Sequence, residues 1–264
     1  MKIIDFHAHV FPDALAERAI STLIACSPGS KNFTDGTASG LQRSMALSGV
    51  SKSVLLPVAT KPSQVGGINK DCKNFSTTEF IAFGALHPKT ENFQEEINFL
   101  KLNNVPGIKL HPEYQNFFVD SPEMYPIYEA LSGAGLITVF HAGKDPGPFS
   151  CDHCLPFALK KIRKDFPDLK IVAAHLGGWK VWGDVEDLLC GLSIYFDTAA
   201  VQGILPDEEF QRIVRKNGID KILFGTDTPW FDQGAAVKWI DQMKLLDSDK
   251  EAILHKNATY LLGF

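Results

Sequence analysis

The chain has 264 residues, 45% hydrophobic and 22% charged, which is ordinary globular composition with enough length to bury a large core. A net charge of −5 leaves no basic excess, so no nucleic acid and no anionic membrane is expected as a partner. No run nears the roughly 18 apolar residues of a membrane span. The opening MKIIDFHAHV lacks the order of a secretory signal, and the five cysteines are odd in number and scattered, so reduced thiols and a cytoplasmic setting are expected.

The first predicted strand is IIDFHAH (3–9). Residues 10–40 follow as an insertion carrying Pro28, Gly29, Ser30, Gly36 and Gly40, and the reading there is a long loop before the first clear helix, TASGLQRSMALSG. Further short apolar runs are VSKSVLLPVA (50–59), FIAFGALHP (80–88), VPGIKLHP (105–112), LITVFHAG (136–143), KIVAAHLGG (170–178), IYFDTAA (194–200) and KILFGTDTPW (221–230). Apolar at nearly every position, they read as strands of a parallel sheet covered on both faces.

Helical patterns lie between them. Ser121-Pro122-Glu123 reads as a helix start with Gly133 and Gly135 near its end, and Asp207 to Lys216 stops at Gly218. EEINFLKLNN and LPFALKKIRKDF have helical apolar spacing. From His9 to Asp227 the seven strand-to-strand steps average about 31 residues, the size of a βαβ unit. Eight strands alternating with helices predict a single (β/α)8 TIM-like barrel over residues 1–264, with the 10–40 insertion over its mouth.

The polar residues at the strand ends carry the chemistry. His7 and His9 point to one side of a strand, with Asp5 sharing that side and Ile4, Phe6 and Ala8 facing the helices. His141, His175 and Asp227 close later strands, and a barrel brings all these ends to one ring. Neutral imidazoles with a carboxylate suit one divalent ion, zinc first. Backbone-bonded core histidines are the bland alternative for an isolated H-x-H, and the further histidines argue against it.

IDFHAHVFPD, the fifth-strand H-x-G, PDLKIVAAHLGG and LFGTDTPW resemble the amidohydrolase superfamily from residue 2 to about 230. The resemblance is to the branch of the amidohydrolase-2 hydrolases and the aminocarboxymuconate-semialdehyde decarboxylase group. It implies that His7, His9, His141 and Asp227 bind one metal ion, and that His175 lies beside the metal-bound water as acid or base. Asp227 would also move a proton. A homodimer is implied in the same way.

Lys109 shares inward parity with Gly107 and His111. It is read as binding a substrate carboxylate or pairing with Asp5 or Asp227, with a carboxylated, metal-bridging role as the alternative. His111 and Trp230 either line the pocket or serve structure, and Arg43 is a second candidate anion contact. Cys151 and Cys154 read as reduced loop thiols, His255 as structural, and Gly177-Gly178 as a tight turn. The leading expectation is a hydrolase in which metal-bound hydroxide attacks an amide, ester or lactone of a small carboxylate or carbonyl compound. The alternative is a non-oxidative decarboxylase of an unsaturated or aromatic acid, and the third reading is a silent metal-binding sensor.

Overall fold

The computed structural model describes residues 2–27 and 29–264. Among the described residues nine short parallel strands are interleaved with helices: β1 (Ile4–Ala8), β2 (Lys52–Leu55), β3 (Phe80–Ala82), β4 (Gly84–Ala85), β5 (Gly107–Leu110), β6 (Ile137–Phe140), β7 (Lys170–Ala173), β8 (Tyr195–Asp197) and β9 (Ile222–Leu223). They pair in the orders β1-β2-β3 and β4 through β9. Only Phe83 separates β3 from β4, and its amide still donates to the Leu55 carbonyl at 3.0 Å, so the two pieces occupy one strand position.

The ring closes between its first and last strands. The Phe6 amide donates to the Phe224 carbonyl (2.7 Å), the Asp227 amide to His7 (2.8 Å) and the His9 amide to Thr228 (2.7 Å). Eight strand positions with helices outside make the expected α/β barrel.

Two apolar layers hold it. Ile4, Phe6, Val54, Ile81, Phe83, Val139, Val172 and Leu223 form a small cluster, joined by Ala258 and Leu261 of the terminal helix. A larger cluster, with Leu55, Ile108, Phe140, Ile171, Phe196 and Phe224, joins the strands to the surrounding helices. The helices show why they form: in Asp207–Asn217 the first turn is acidic, the last basic, Phe210, Ile213, Val214 and Asn217 are buried, and Gly218 ends it.

Two local expectations change. Residues 13–26 fold as a 14-residue helix, α1 (Asp13–Cys26), inside the stretch read as loop. Its N-cap residue Pro12 makes no side-chain cap bond, so the usual start signal is missing. The irregular part is shorter, and it reaches the barrel end where the Phe33 amide donates to Pro229 (2.7 Å). Pro28 itself lies outside the described residues.

The second change is in β1. Its register with β2 shifts between Asp5 and Ala8, an extra residue that breaks the strict alternation. Ile4 and Phe6 therefore join the small cluster instead of facing the helices. Asp5 leaves the side of His7 and accepts hydrogen bonds from the Thr226 amide (2.9 Å) and hydroxyl (2.6 Å) and from Gln233 (2.7 Å). It pins the first strand to the segment after the last. Burial pushes its carboxyl up to about 6 in spite of those donors.

Candidate metal centre

Three of the expected ligands converge. His7 and His9 at the top of β1 and Asp227 beyond β9 place their donor atoms within 4.8 Å of one another. Asp227 Oδ1 lies 3.3 Å from His7 Nε2 and 3.1 Å from His9 Nε2. Metal bonds of about 2.0–2.2 Å at a tetrahedral angle set neighbouring donors about 3.3–3.5 Å apart, so this spacing fits one ion. Asp227 adopts φ +69°, a strained backbone for a non-glycine residue and one found at functional sites.

The rear of each imidazole is held. His7 Nδ1 is 2.8 Å from Asp197 Oδ2, and His9 Nδ1 donates to the Leu56 carbonyl at 2.8 Å. These partners take the Nδ1 protons and leave each Nε2 lone pair facing Asp227, as a metal-ligating imidazole requires. Burial holds His7 neutral, the form that ligates. Burial would raise the Asp227 carboxyl, but a proton held at His9 Nε2 when no ion is bound, together with the neighbouring imidazoles, outweighs it and brings it down to about 2. Asp227 is therefore a carboxylate, which fits a ligand better than a resting proton donor.

His141 stands apart from this set. Its Nδ1 is 3.0 Å from His175 Nε2, and its Nε2 is 3.1 Å from the Lys144 carbonyl. It groups with His111 and Asp145 instead. The cause is the loop after β6: Gly143, at φ +86°, turns the chain so closely over Trp179 that a Cβ would meet its amide at 2.2 Å, and the turn carries Lys144 and Asp145 back over the ring.

His175 sits between the two groups. Its Nδ1 donates to the Ala199 carbonyl (3.0 Å), its backbone amide donates to Asp197 Oδ1 (2.9 Å), and its ring lies 5.2 Å from that of His7. It too has a left-handed backbone, φ +60°. Asp197 thus orients His7 and His175 together, a role that the reading of IYFDTAA as a plain strand missed. Its signal was present as an acid at a strand end.

Lys109 points into the barrel, fully buried, with Nζ 3.4 Å from His7 Nε2. Burial lowers its ammonium to about 8, opposed by Asp197 and Asp227. Among the described residues no ion pair joins it to Asp5, whose partners are Thr226 and Gln233. His111 stacks on His141 with ring centres 4.1 Å apart, faces Asp145 Oδ2 at 3.5 Å, and caps the short helix Pro112–Gln115 through its contact with the Tyr114 amide. The Trp230 amide donates to the Asp227 carbonyl (2.9 Å), and the residue is half-buried.

The remaining candidates fall away. Arg43 is exposed and pairs with Asp35 at 2.7 Å, so it does not serve the centre. His255 bonds to Glu251 within its own helix. All five cysteines are free, and among the described residues no cysteine joins a metal-binding group. No helix among them is long and apolar enough to cross a membrane.

Comparison with known proteins bears on this geometry. A family model described as amidohydrolase matches residues 70–264. The fold is similar to an uncharacterised TIM-barrel protein from Bordetella bronchiseptica (19% identity, 100% of this chain and 99% of that one, TM-score 0.77). It is also similar to 5-carboxyvanillate decarboxylase from Sphingomonas paucimobilis (14%, 100% and 99%, 0.75). A third likeness is to a dihydroxybenzoic acid decarboxylase from a Polaromonas species, with bound manganese and 2-nitroresorcinol (16%, 99% and 97%, 0.73). No curated protein sequence matches the chain.

Proposed function

This chain belongs to the amidohydrolase family, and on that premise we propose that it is a metal-dependent, non-oxidative decarboxylase of a small unsaturated or aromatic carboxylic acid. The observation that carries the reading is Lys109, a buried cation 3.4 Å from a ligand of the ion, a charge that a substrate carboxylate would neutralise. The named decarboxylases among the structural relatives, one with bound manganese, support the same direction. They weigh against amide, ester or lactone hydrolysis, the leading expectation from sequence.

In this reading His7, His9 and Asp227 hold the ion, and the fourth place expected for His141 is left to substrate. Zinc and manganese both suit two imidazoles and a carboxylate. When bound, the ion supplies a Lewis acid that polarises substrate oxygen. Lys109 neutralises the carboxylate, the wall of His111 and Trp230 orients the ring, and His175 carries a proton to the carbon that loses carbon dioxide. Asp227 is the secondary proton carrier, limited by its low protonation. The free cysteines suit a cytoplasmic enzyme.

The test is carbon dioxide release from a panel of hydroxybenzoates and muconate-type acids by protein loaded with zinc or manganese. Release without ring opening is expected. Turnover of lactones or amides with no carbon dioxide from any acid would restore the hydrolase.

A further inference from the structure

The loop after β6 carries a cluster of reactive side chains that the metal centre does not use. Cys151 is exposed, and its Sγ lies 3.6 Å from His153 Nε2. His153 is only 6% exposed, and its other ring nitrogen, Nδ1, is buried without a hydrogen-bond partner. Glu113 stands behind it. Its Oε1 accepts from the His153 backbone amide (3.0 Å) and lies 4.0 Å from Nδ1, while its Oε2 is buried and unpartnered. We propose that Cys151 is a reactive thiol, a modification site for low-molecular-weight disulfides, with His153 as its base and Glu113 positioning that base.

The contacts give the relay its direction. The Cys151 thiol donates to His153 Nε2, so the neutral ring carries its own proton on Nδ1. That proton faces Glu113 at a distance too long for a hydrogen bond but within ion-pair reach once the ring is charged. Burial lowers His153 below its ordinary value, against the pull of Asp152, so at neutral pH the ring is a base and not a cation. Its setting is held as well. The His153 carbonyl accepts from the Val119 amide (3.1 Å), and the Phe118 ring covers the imidazole with centres 4.7 Å apart. Nucleophile, base and orienting carboxylate stand in the order that activates a thiol.

The other thiols lack this setting. Cys72 donates to the Phe83 carbonyl at 3.0 Å, and burial pushes it up to about 12. Cys154 is fully buried, and burial pushes Cys190 up to about 11. Cys26 is exposed, but among the described residues no imidazole is in hydrogen-bond contact with it.

The step needs only the disulfide itself as oxidant. The Cys151 proton passes to His153 Nε2, and the sulfur attacks one sulfur of R–S–S–R. A new S–S bond forms as the old one breaks, and the electron pair leaves on RS−, which takes the proton and departs as RSH. Cys151 is thereby oxidised to a mixed disulfide, and the departing sulfur is reduced.

The test is the rate at which full-length protein releases coloured thiolate from dithiobis(nitrobenzoate), an aryl disulfide. At pH 7 a fast phase of one equivalent is expected, lost in Cys151→Ser and kept in Cys26→Ser. A free thiol of pKa about 8.5 is a few per cent thiolate at that pH, so a neighbouring base gains at most about 30-fold. His153→Asn is therefore expected to slow the fast phase about 10-fold at pH 7, and to match wild type at about pH 9.5, where a free thiol is ionised without help. Glu113→Gln should be slowed less, and both variants should keep the wild-type circular dichroism spectrum. A fast phase that survives Cys151→Ser, or a wild-type rate in His153→Asn at pH 7, would overturn the proposal. A slowing in His153→Asn that is equal at both pH values would overturn it too, because the ring would then only govern access to the thiol. A wild-type rate in Glu113→Gln would remove Glu113 from the relay.

Discussion

Asp197 Oδ2 lies 2.8 Å from His7 Nδ1, joining two buried side chains 190 residues apart in sequence. The contact settles which nitrogen of His7 is offered forward. The carboxylate takes the Nδ1 proton, and Nε2 faces Asp227 with its lone pair free. The same carboxylate, through Oδ1, accepts from the backbone of His175 and Ala199.

Asp197→Asn separates these two roles. An asparagine oxygen can still accept from the backbone, but its amide turns donors toward His7 and reverses the tautomer. Metal affinity is expected to fall about 10- to 100-fold, measured by competition with a chelating dye. Unchanged affinity would remove Asp197 from the orientation of His7.

His175→Ala distinguishes catalysis from metal retention. Its ring is no ligand of the His7–His9–Asp227 set. Turnover is expected to drop at least about 100-fold, the range of general acid–base catalysis, while the ion at His7, His9 and Asp227 is kept. Near wild-type turnover would exclude His175 as proton carrier.

Lys109 sets an alkaline limit on binding. Its ammonium, lowered to about 8 by burial, is charged below that pH and neutral above it. KM for an acid substrate is expected to rise as pH climbs through about 8, with a smaller change in kcat. Lys109→Met should have a raised KM at pH 7 and lose that alkaline rise. A profile identical to wild type would show that Lys109 does not hold the substrate.

Glu113 gives a stability prediction for the metal-free protein. Burial raises its carboxyl from 4.5 to about 7. Below about pH 4.5 it is protonated both folded and unfolded, and no cost arises. As pH rises toward 7 the unfolded chain loses the proton first, so stability falls, and above 7 the full cost remains. That cost is on the order of 3 kcal/mol. Glu113→Gln should therefore melt higher than wild type at pH 8, with the gap closing by pH 4.5. A gap independent of pH would assign the effect to packing alone.

Much of this was readable in the chain because barrel strands end in their functional residues. His7, His9, His175 and Asp227 each close an apolar run, and strand order alone brings distant ends together. What could not be read depends on local backbone. The extra residue in β1 changes the face of Asp5, and no composition signal marks such a bulge. Helix α1 lacks a capping side chain, while its buried Ala16 and Ile20 are only two positions of a weak stripe. The direction of the His141 ring follows from the turn at Gly143 and the return of Lys144 and Asp145, a three-dimensional fact with no periodicity.

An ion held between His7, His9 and Asp227 is central to the proposed function. Diffraction from crystals of manganese-loaded protein, collected on both sides of the manganese absorption edge, tests it most directly. An anomalous peak about 2.0–2.2 Å from His7 Nε2, His9 Nε2 and Asp227 Oδ1 is the predicted result. A peak bound by other side chains, with those three left bare, would contradict it.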